Sequence, residues 1–359
     1  MSAVDTLNVA TRDFIDSRSK KLVDLAFQSS QLCKMLRAKA RKYPGGTQIT
    51  EHIVYAGSGG GAHRRGKRYI NTERQTDQRL QFDPKFMRVP VVLDQIDIRV
   101  INQGPAKVYD VLESKLSNAY LTLGAQMEIA IYLPGQGNSF AANVNGLAEI
   151  TNDNSETSFD GGTYTNYGEL SRANANYGPA VTGAVDNVAG AITYETLDST
   201  YTAASVGSIE PTLGQTTPKC VSYIKNRIIS QLRFNDTQDG TFGFNSIRFN
   251  RARIMASRYC PGTEINGNDI ADDYVTFTTE DEATPLTAYP TVSGETLFWL
   301  NTDDEFLHLY ISSDKIFGMG FSDFIPSAES DILVGAIRLC WQMTAPGIRY
   351  HYQLRNITG

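Results

Sequence analysis

The sequence predicts an α+β fold in which one very long helix and one elongated two-stranded hairpin accompany a set of C-terminal strands. Three observations lead to this prediction. Residues 47–55 alternate in polarity with a period of two, residues 105–132 carry apolar side chains at steps of three and four, and residues 331–357 read as strands around Pro346. A period of two is typical of half-buried strands and a period near 3.6 of amphipathic helices. No internal repeat divides the chain of 359 residues.

The first element is a basic N-terminal arm, residues 1–46. Residues 11 to about 42 are expected to be helical and to end at Pro44, Gly45 and Gly46. A long terminal helix with a thin apolar stripe is expected to lie on another surface. The candidate contact residues near its end are Lys34, Arg37, Lys39, Arg41 and Lys42.

The second element is a hairpin over residues 47–93, whose first strand is predicted over 47–55 and whose return strand is predicted over 79–93. A two-stranded ribbon has no core of its own, so it must pack against another body. Its tip contains the glycine-rich stretch GSGGGAHRRGKRY, residues 57–69. The tip residues expected to contact a neighbour are Gly59, Gly60, Gly61, Arg64, Arg65, Lys67 and Arg68.

The same stretch raises the alternative of a nucleotide-binding enzyme. Residues 61–67 match the first seven positions of the phosphate-binding pattern G-x-x-x-x-G-K-[ST], but Arg68 occupies the position of the Ser or Thr hydroxyl. No apolar stripe follows for a packed helix, and Pro90 beside the apolar run 91–94 does not suit a central strand. The flexible basic tip is therefore the favoured interpretation of this motif.

The third element is a helix over residues 105–132, which begins at Pro105 and ends before Pro134. Its 28 residues correspond to about 40 Å of helix, longer than most globular helices. Beyond it, helices are predicted over 193–206 and 219–232, and strands over 244–249, 253–257 and 297–300. Trp299 and Trp341 lie in apolar runs and are predicted to be core residues.

Charge is distributed unevenly along the chain. Residues 1–90 hold 17 Lys and Arg and 8 Asp and Glu, which is a net charge of +9. Residues 91–359 hold 16 Lys and Arg and 31 Asp and Glu, which is a net charge of −15. The two parts together give the net charge of −6 for the chain. The basic region is expected to meet polyanions or acidic surfaces, with a solvated basic face as the alternative on charge alone. Residues 261–293 form an acidic insertion without Lys or Arg, and its candidate partner residues are Asp269, Asp272, Asp273, Glu280, Asp281 and Glu282.

The sequence lacks the common motifs for catalysis and cofactor binding. The four cysteines and four histidines are scattered, with no C-x-x-C or H-E-x-x-H spacing, and no G-x-S-x-G motif is present. We therefore expect no cofactor, no metal, no enzymatic activity and reduced, buried cysteines. The sequence contains no membrane-spanning apolar run and no signal peptide.

Several stretches, taken in order, carry a resemblance. They are PGGTQITEHIVY (44–55), MRVPVVLDQIDI (87–98), VYDVLESKLSNAYLTLGAQM (108–127), NGLAEI (145–150), GGTY and SRANAN (161–176), LFWLNTDDEFLHLYI (297–311) and LRNITG (354–359). In this order they resemble a tailed-phage major capsid protein with the Hong Kong 97 capsid fold. The arginine-rich tip and the acidic insertion depart from the usual pattern of that family.

The resemblance implies a division into five parts. These are an N-terminal arm (1–46), an extended loop (47–93), a peripheral domain with a spine helix (94–146, helix 105–132), an axial domain with the acidic insertion (147–300) and returning strands shared by both domains (301–359).

It also implies a function: self-assembly as hexamers and pentamers into an icosahedral shell that encloses double-stranded DNA. The shell would be a virion capsid assembled in the host bacterial cytoplasm. Portal and decoration proteins are expected partners, and a chain that begins at Met1 leads us to expect a separate scaffold protein. An encapsulin-like bacterial compartment of the same fold remains the alternative.

Overall fold

The computed structural model describes residues 31–66, 73–95, 105–136, 143–228, 246–263, 292–327 and 331–359. Two sheets and one long helix organise these residues. The first sheet packs against the long helix, and the second carries two shorter helices on one face. A buried apolar core joins the long helix to the first sheet, and a smaller core lies within the second sheet and its helices.

The arm ends in a short helix followed by a strand. Helix α1 spans Gln31–Ala38, and strand β1, Arg41–Tyr43, pairs in parallel with strand β12, His308–Ser312. The prediction that helix continues to about residue 42 is therefore wrong. The backbone of β1 gains hydrogen bonds along β12, and Tyr43 is buried in the core, so tertiary pairing overrides local helix propensity. Residues 11–30 of the predicted helix lie outside the described residues.

The hairpin consists of β2, Ile49–Val54, and β3, Asp77–Phe82, paired antiparallel from Ile49 opposite Phe82 to Val54 opposite Asp77. Burial alternates along β2 as the sequence predicts, because successive side chains of a strand point to opposite faces. The single return strand over 79–93 is wrong. At residues 83–84 the chain leaves β3 and enters a second strand, β4, Lys85–Asp94, which belongs to the first sheet.

The first sheet has β14, Ile332–Thr344, at its centre. It pairs with β4, with β12 and with β13, Gly318–Pro326. Among the described residues β4 is an edge strand, and its Pro90 lies opposite Ala336. Proline has no backbone N–H to donate, so an edge strand accommodates it where a strand paired on both sides would not. Helix α2 spans Pro105–Tyr132, the range that the sequence predicts, and packs on β4 and β14.

The second sheet has the strand order β7, β15, β11, β8, β10, β9. These strands span Val185–Ala191 (β7), Tyr352–Thr358 (β15), Glu295–Leu300 (β11), Leu213–Thr216 (β8), Ala252–Ala256 (β10) and Ser246–Phe249 (β9). Helices α4, Tyr194–Ala204, and α5, Pro218–Ile228, lie close to the predicted ranges and contribute to its core. Trp299 is buried in this second core and Trp341 in the first, so both tryptophan predictions are confirmed.

A mostly irregular segment, residues 143–184, joins α2 to the second sheet. It contains the four-residue helix α3, Leu147–Ile150, the short paired strands β5, Asn166–Tyr167, and β6, Leu170–Ser171, and a 3-10 turn, Gly178–Ala180. A further 3-10 turn, Ile348–Tyr350, precedes β15. A Cβ atom at Gly146 would lie 2.1 Å from the carbonyl oxygen of Leu133, so only glycine lets α3 approach the end of α2 this closely.

Candidate inter-subunit surfaces

The hairpin tip, residues 55–66 and 73–76 in the described chain, is exposed and extended. Gly59, Gly60, Gly61, Arg64 and Arg65 are all exposed, and no atom lies within 4 Å of the Cβ position at Gly60 or Gly61. Lys67 and Arg68 lie outside the described residues. The tip thus presents a polar, basic segment whose residues are mostly exposed among the described parts of the chain.

One tip glycine has a conformational role. Gly66 has φ +84°, in the left-handed region that residues with a side chain rarely adopt. At the base of the tip, the ring of Tyr55 meets that of Tyr177 at 6.2 Å between centroids. The tip is therefore fixed to the body where it leaves β2 and is open beyond that point.

The tip does not have the architecture of a phosphate-binding loop. Such a loop connects a strand of a parallel sheet to the N-terminus of a packed helix, whose N–H groups face the phosphates. Here the preceding strand, β2, pairs only with β3 among the described residues, and residues 73–76 lead directly into β3. Among the described residues, therefore, no packed helix follows β2 in the position that a phosphate-binding loop requires.

The base of the hairpin is anchored by the buried carboxylate of Glu51. Its Oε1 accepts hydrogen bonds from His308 Nδ1 at 2.7 Å, from the Tyr310 hydroxyl at 2.7 Å and from Thr344 Oγ1 at 3.2 Å. Arg41 Nη1 lies 3.8 Å away. Burial alone would raise the pKa of Glu51, but the hydrogen bonds from these three side chains and the charge of His308 outweigh it, so the pKa is lowered.

Two of the predicted arm residues contact the same chain. Lys39 Nζ donates to the Thr302 carbonyl at 3.0 Å and lies 3.4 Å from the Asp304 carboxylate. Arg41 Nη2 donates to the Asp304 carbonyl at 2.7 Å. Both side chains are more than two-fifths exposed, so these contacts leave part of each cation facing solvent.

The remaining arm residues lie at different depths. Lys34 and Arg37 are half-buried on α1, and Lys42 is exposed on β1. The acidic partner residues, Asp269, Asp272, Asp273, Glu280, Asp281 and Glu282, lie outside the described residues.

A second buried carboxylate, Glu128, joins the arm to the long helix and the second sheet. Its oxygens accept hydrogen bonds from the Cys33 backbone N–H at 2.9 Å, from Ser257 Oγ at 3.2 Å and from the Tyr132 hydroxyl at 3.4 Å. Glu128 is fully buried. Burial raises its pKa to about 7, because the hydrogen bonds that the carboxylate accepts offset only part of the cost of desolvation.

A third buried carboxylate, Glu149, lies at the junction of α2, α3 and the hairpin. It accepts hydrogen bonds from the Gly135 backbone N–H and from the side chains of Gln136 and Asn145. Burial raises the pKa of Glu149, although those hydrogen bonds and the charge of Arg172 act against it.

The guanidinium of Arg172 is itself buried beside this junction. It donates to backbone carbonyls, including Glu149 at 2.6 Å, Tyr164 at 3.0 Å and Val181 at 2.9 Å. These hydrogen bonds hold the irregular segment 143–184 in place, since buried polar groups must be paired.

A polar pocket of about 250 Å³ opens beside this third junction. Its walls come from the turn between β3 and β4, from the end of α2 and from the β5–β6 turn. The lining residues are Gln81, Phe82, Asp83, Lys85, Gly135, Gln136, Asn145, Asn166, Gly168 and Glu169.

Within the described residues no group of three or more His, Cys, Asp or Glu side chains is placed to hold a metal ion. No described helix is both long enough and apolar enough to cross a membrane.

Solved structures share this arrangement of elements. A chain of the cyanophage A-1(L) capsid superposes with a TM-score of 0.64 and 14% identity over 92% of this chain and 94% of that chain. The chain has the Hong Kong 97 capsid fold. No protein-family model and no curated protein matches the sequence.

Two further shells share the Hong Kong 97 fold with this chain. An encapsulin from Synechococcus elongatus PCC 7942 has a TM-score of 0.55 and 10% identity over 92% of this chain and 89% of that chain. The capsid chain of a native GTA particle has a TM-score of 0.54 and 8% identity over 91% of each chain. The predicted α+β fold is therefore confirmed, and the match extends over nearly the whole of each chain.

Sequence reasoning missed the three carboxylate junctions. The sequence contained a signal for one of them, because Glu51 lies on the same face of β2 as the buried Ile49 and Ile53. A charged side chain on the apolar face of a strand requires hydrogen-bonding or charged partners. Glu128 gives a weaker signal, as it follows Met127 in the most apolar part of α2. The partners of both come from distant parts of the chain, which no local pattern identifies.

Proposed function

We propose that this protein is a major capsid protein, the repeating subunit of an icosahedral shell of hexamers and pentamers that encloses double-stranded DNA. The observation that carries the proposal is the superposition on a cyanophage capsid chain over 92% of this chain and 94% of the other. A match of this extent leaves only 8% of this chain outside the superposition.

We assign the parts of the chain in capsid terms. The first sheet with α2 corresponds to the peripheral domain, the second sheet with α4 and α5 to the axial domain, and residues 47–93 to the extended loop. Residues 301–359 supply strands to both sheets, which supports the predicted role of returning strands shared between domains. In this proposal the tip lies at the edge of a subunit, where neighbours meet.

The physical basis of assembly is the surface that the chain leaves uncovered. An exposed tip at the end of a two-stranded hairpin gains burial only from another body. Many modest contacts repeated by closed symmetry give a shell that is stronger than any one interface. We propose that Arg64, Arg65, Lys67 and Arg68 contact acidic side chains of a neighbour, with the insertion 261–293 as the candidate.

The assembly proposal is tested by electron microscopy of the purified full-length chain. Closed shells, or rings of five and six subunits, are the expected result. A protein that remains monomeric at all concentrations and salt conditions tried would contradict the proposal.

The loop contact is tested separately by charge reversal. The double variant Arg64→Glu with Arg65→Glu is expected to reduce shell formation strongly, since it turns a proposed attraction into repulsion. The matched control is Lys225→Glu with Arg227→Glu, which changes net charge equally at two exposed positions on α5. Normal shells from the loop variant, or an equal reduction in the control, would refute the contact while leaving the capsid proposal intact.

A second candidate function is an encapsulin-like compartment, because the Synechococcus elongatus encapsulin superposes with a TM-score of 0.55. The two candidates differ in what the shell contains. Particles isolated from the native source that contain double-stranded DNA support the capsid proposal, and particles that contain a cargo enzyme and no DNA support the compartment.

Our proposal gives the protein a structural role without catalytic activity. A nucleotide turnover assay on the wild type and Lys67→Ala tests the remaining enzyme alternative, since lysine-dependent hydrolysis would require a phosphate site at residues 61–67. We further propose a virion location after assembly in the bacterial cytoplasm, with scaffold, portal and decoration proteins as partners.

A further inference from the structure

His308, the first residue of β12, is buried where the arm, the hairpin and the first sheet meet. Its ring Nδ1 lies 2.7 Å from Glu51 Oε1 on β2, and its ring Nε2 lies 2.7 Å from the carbonyl oxygen of Asp304. The same carbonyl oxygen accepts a hydrogen bond from Arg41 Nη2 on β1, also at 2.7 Å. One imidazole ring therefore connects three parts of the chain that are distant in sequence.

Both atoms that face the ring are acceptors. A backbone carbonyl has no proton to donate, and an ionised carboxylate only accepts. A neutral imidazole has one N–H and can satisfy one of the two acceptors, whereas an imidazolium has two N–H groups and can satisfy both. The 2.7 Å separations to Glu51 and Asp304 are also the length of charge-assisted hydrogen bonds. The geometry of this ring thus fits the doubly protonated form.

A proton on Glu51 could replace the second proton on the ring, but the surroundings of Glu51 oppose this. Its Oε1 also accepts from the Tyr310 hydroxyl at 2.7 Å and from Thr344 Oγ1 at 3.2 Å, and Arg41 Nη1 lies 3.8 Å away. Donors and a cation favour the ionised carboxylate, and the pKa of Glu51 is lowered. The second proton therefore belongs on the imidazole ring.

Other charged groups lie near this network. Arg41 on β1 also interacts with the Tyr310 hydroxyl, and Lys39, just after α1, lies 3.4 Å from the Asp304 carboxylate. Tyr167 on β5 lies close enough to Glu51 to interact with its charge. The two cations repel an imidazolium, but both are more than two-fifths exposed and are screened by solvent, whereas His308 and Glu51 are buried. The attraction between His308 and Glu51 therefore outweighs this repulsion.

A second buried histidine shows the opposite arrangement. His351 Nδ1 accepts from the backbone N–H of Asn301 at 3.3 Å, and its Nε2 lies 3.3 Å from the Phe306 carbonyl oxygen. One donor and one acceptor fit a neutral ring, and burial lowers the pKa of His351 to about 4. His351 is thus a reference for the neutral form within the same chain.

We propose that His308 is an imidazolium in the folded protein and acts as a pH-sensitive latch that ties β1 of the arm and β2 of the hairpin to the first sheet. A ring that loses one proton keeps a single N–H, which the charged Glu51 retains as the stronger acceptor. The Asp304 carbonyl then faces a ring lone pair, and the loop that carries Asp304 loosens together with Arg41 and β1. This inference goes beyond the proposed function and does not depend on it.

The sign of the pH dependence follows from the location of the second proton. The folded state holds that proton more tightly than the unfolded state, so the stabilisation is present at low pH and is lost as the ring deprotonates at higher pH. The latch therefore holds at low pH and opens as the pH rises.

The protonation state is tested by NMR of the full-length chain, labelled with ¹⁵N at histidine and held below its assembly concentration. His308 is assigned from contacts with the ring of Tyr310, whose centroid lies 6.3 Å away. At about pH 7, where an ordinary histidine is mostly neutral, we expect protons on both ring nitrogens of His308 and on one ring nitrogen of His351. A single ring proton on His308 at that pH would overturn the inference.

The latch itself is tested by trypsin cleavage of the same unassembled chain. Strand β1 offers Arg41 and Lys42, and the exposed tip offers Arg64 and Arg65 as a reference. The ratio of the β1 rate to the tip rate cancels the pH dependence of the protease. This ratio is expected to rise about tenfold between about pH 7 and about pH 9, since one charge-assisted hydrogen bond is lost.

His308→Gln is the variant that separates the latch from other titrations. Its amide can donate to the Asp304 carbonyl at every pH, so its cleavage ratio is expected to stay constant from about pH 7 to about pH 9. A constant ratio in the wild type, or an equal rise in the variant, would overturn the latch. If His308→Gln does not fold, Glu51→Gln replaces it: without the charged acceptor, the β1 rate is expected to rise at a lower pH than in the wild type, and an unchanged pH profile would refute the proposal.

Discussion

The buried carboxylate of Glu128 predicts an unusual dependence of stability on pH. Its pKa in the folded protein is raised to about 7 by burial, from an ordinary value of 4.5 in the unfolded chain. Between these values the folded state binds more protons than the unfolded state, so this group lowers stability as pH rises from about 4.5 to about 7. A difference of about 2.5 pKa units corresponds to about 3 kcal/mol.

The substitution Glu128→Gln isolates this contribution. A glutamine oxygen can accept from the Cys33 N–H, and its amide group can donate to the hydroxyls of Ser257 and Tyr132, which rotate to accept. The variant thus reproduces the hydrogen bonds of the protonated acid without its ionisation. Its stability relative to wild type is expected to improve by about 2.5 kcal/mol between pH 5 and pH 8, since part of the full difference is already present at pH 5.

Urea unfolding of unassembled protein, followed by tryptophan fluorescence, measures this difference at each pH. Subtracting the free energy of unfolding of the variant from that of the wild type cancels the contributions of the other titrating groups, provided that those groups do not couple to Glu128. A difference that stays constant from pH 5 to pH 8 would show that Glu128 does not hold a proton in the folded state, and the reasoning from burial would be wrong.

Two further predictions concern the other junctions. Glu51→Gln is expected to lower the free energy of unfolding by about 1 to 3 kcal/mol near pH 7, because a charged acceptor of three hydrogen bonds becomes neutral. Since the pKa of Glu51 is lowered in the folded protein, this cost shrinks as pH falls through that pKa, and urea unfolding at pH 7 and pH 3 measures the change. Gly146→Ala is expected to cost about 1 to 3 kcal/mol, because its Cβ would meet the Leu133 carbonyl oxygen at 2.1 Å. Gly57→Ala, with no atom within 4 Å, is the control and is expected to stay within about 0.5 kcal/mol of wild type by thermal unfolding.

Elements with a strong period were predictable from the sequence. The alternation of β2 reflects one buried face, which local residue order encodes directly. The apolar steps of α2 predict the helix, although its last turns, residues 127–132, are buried on all sides. The two strand predictions at 253–257 and 297–300 succeeded for the same reason, as short apolar runs bounded by polar residues.

Elements that depend on distant partners were not predictable. Arg41–Tyr43 forms a strand only because β12, more than 260 positions later, offers its edge in parallel register. The division of residues 77–94 into β3 and β4 likewise depends on β14, whose Gln342 side chain also donates to the Asp83 carbonyl at 2.7 Å. Neither partner leaves a trace in the local sequence.

The positions of the three buried carboxylates bear on how the hairpin can serve in a shell. Glu51 fixes the base of the hairpin to the first sheet, and Glu149 with Gln342 fixes the turn that leaves it. Beyond Tyr55 the tip is uncovered, so its contacts can change without disturbing these anchors. Variants at the tip should therefore alter assembly with little effect on the free energy of unfolding, whereas variants at Glu51 should alter both. A tip variant that destabilised the subunit to the same extent as a Glu51 variant would show that the tip belongs to the folded core and not to an interface.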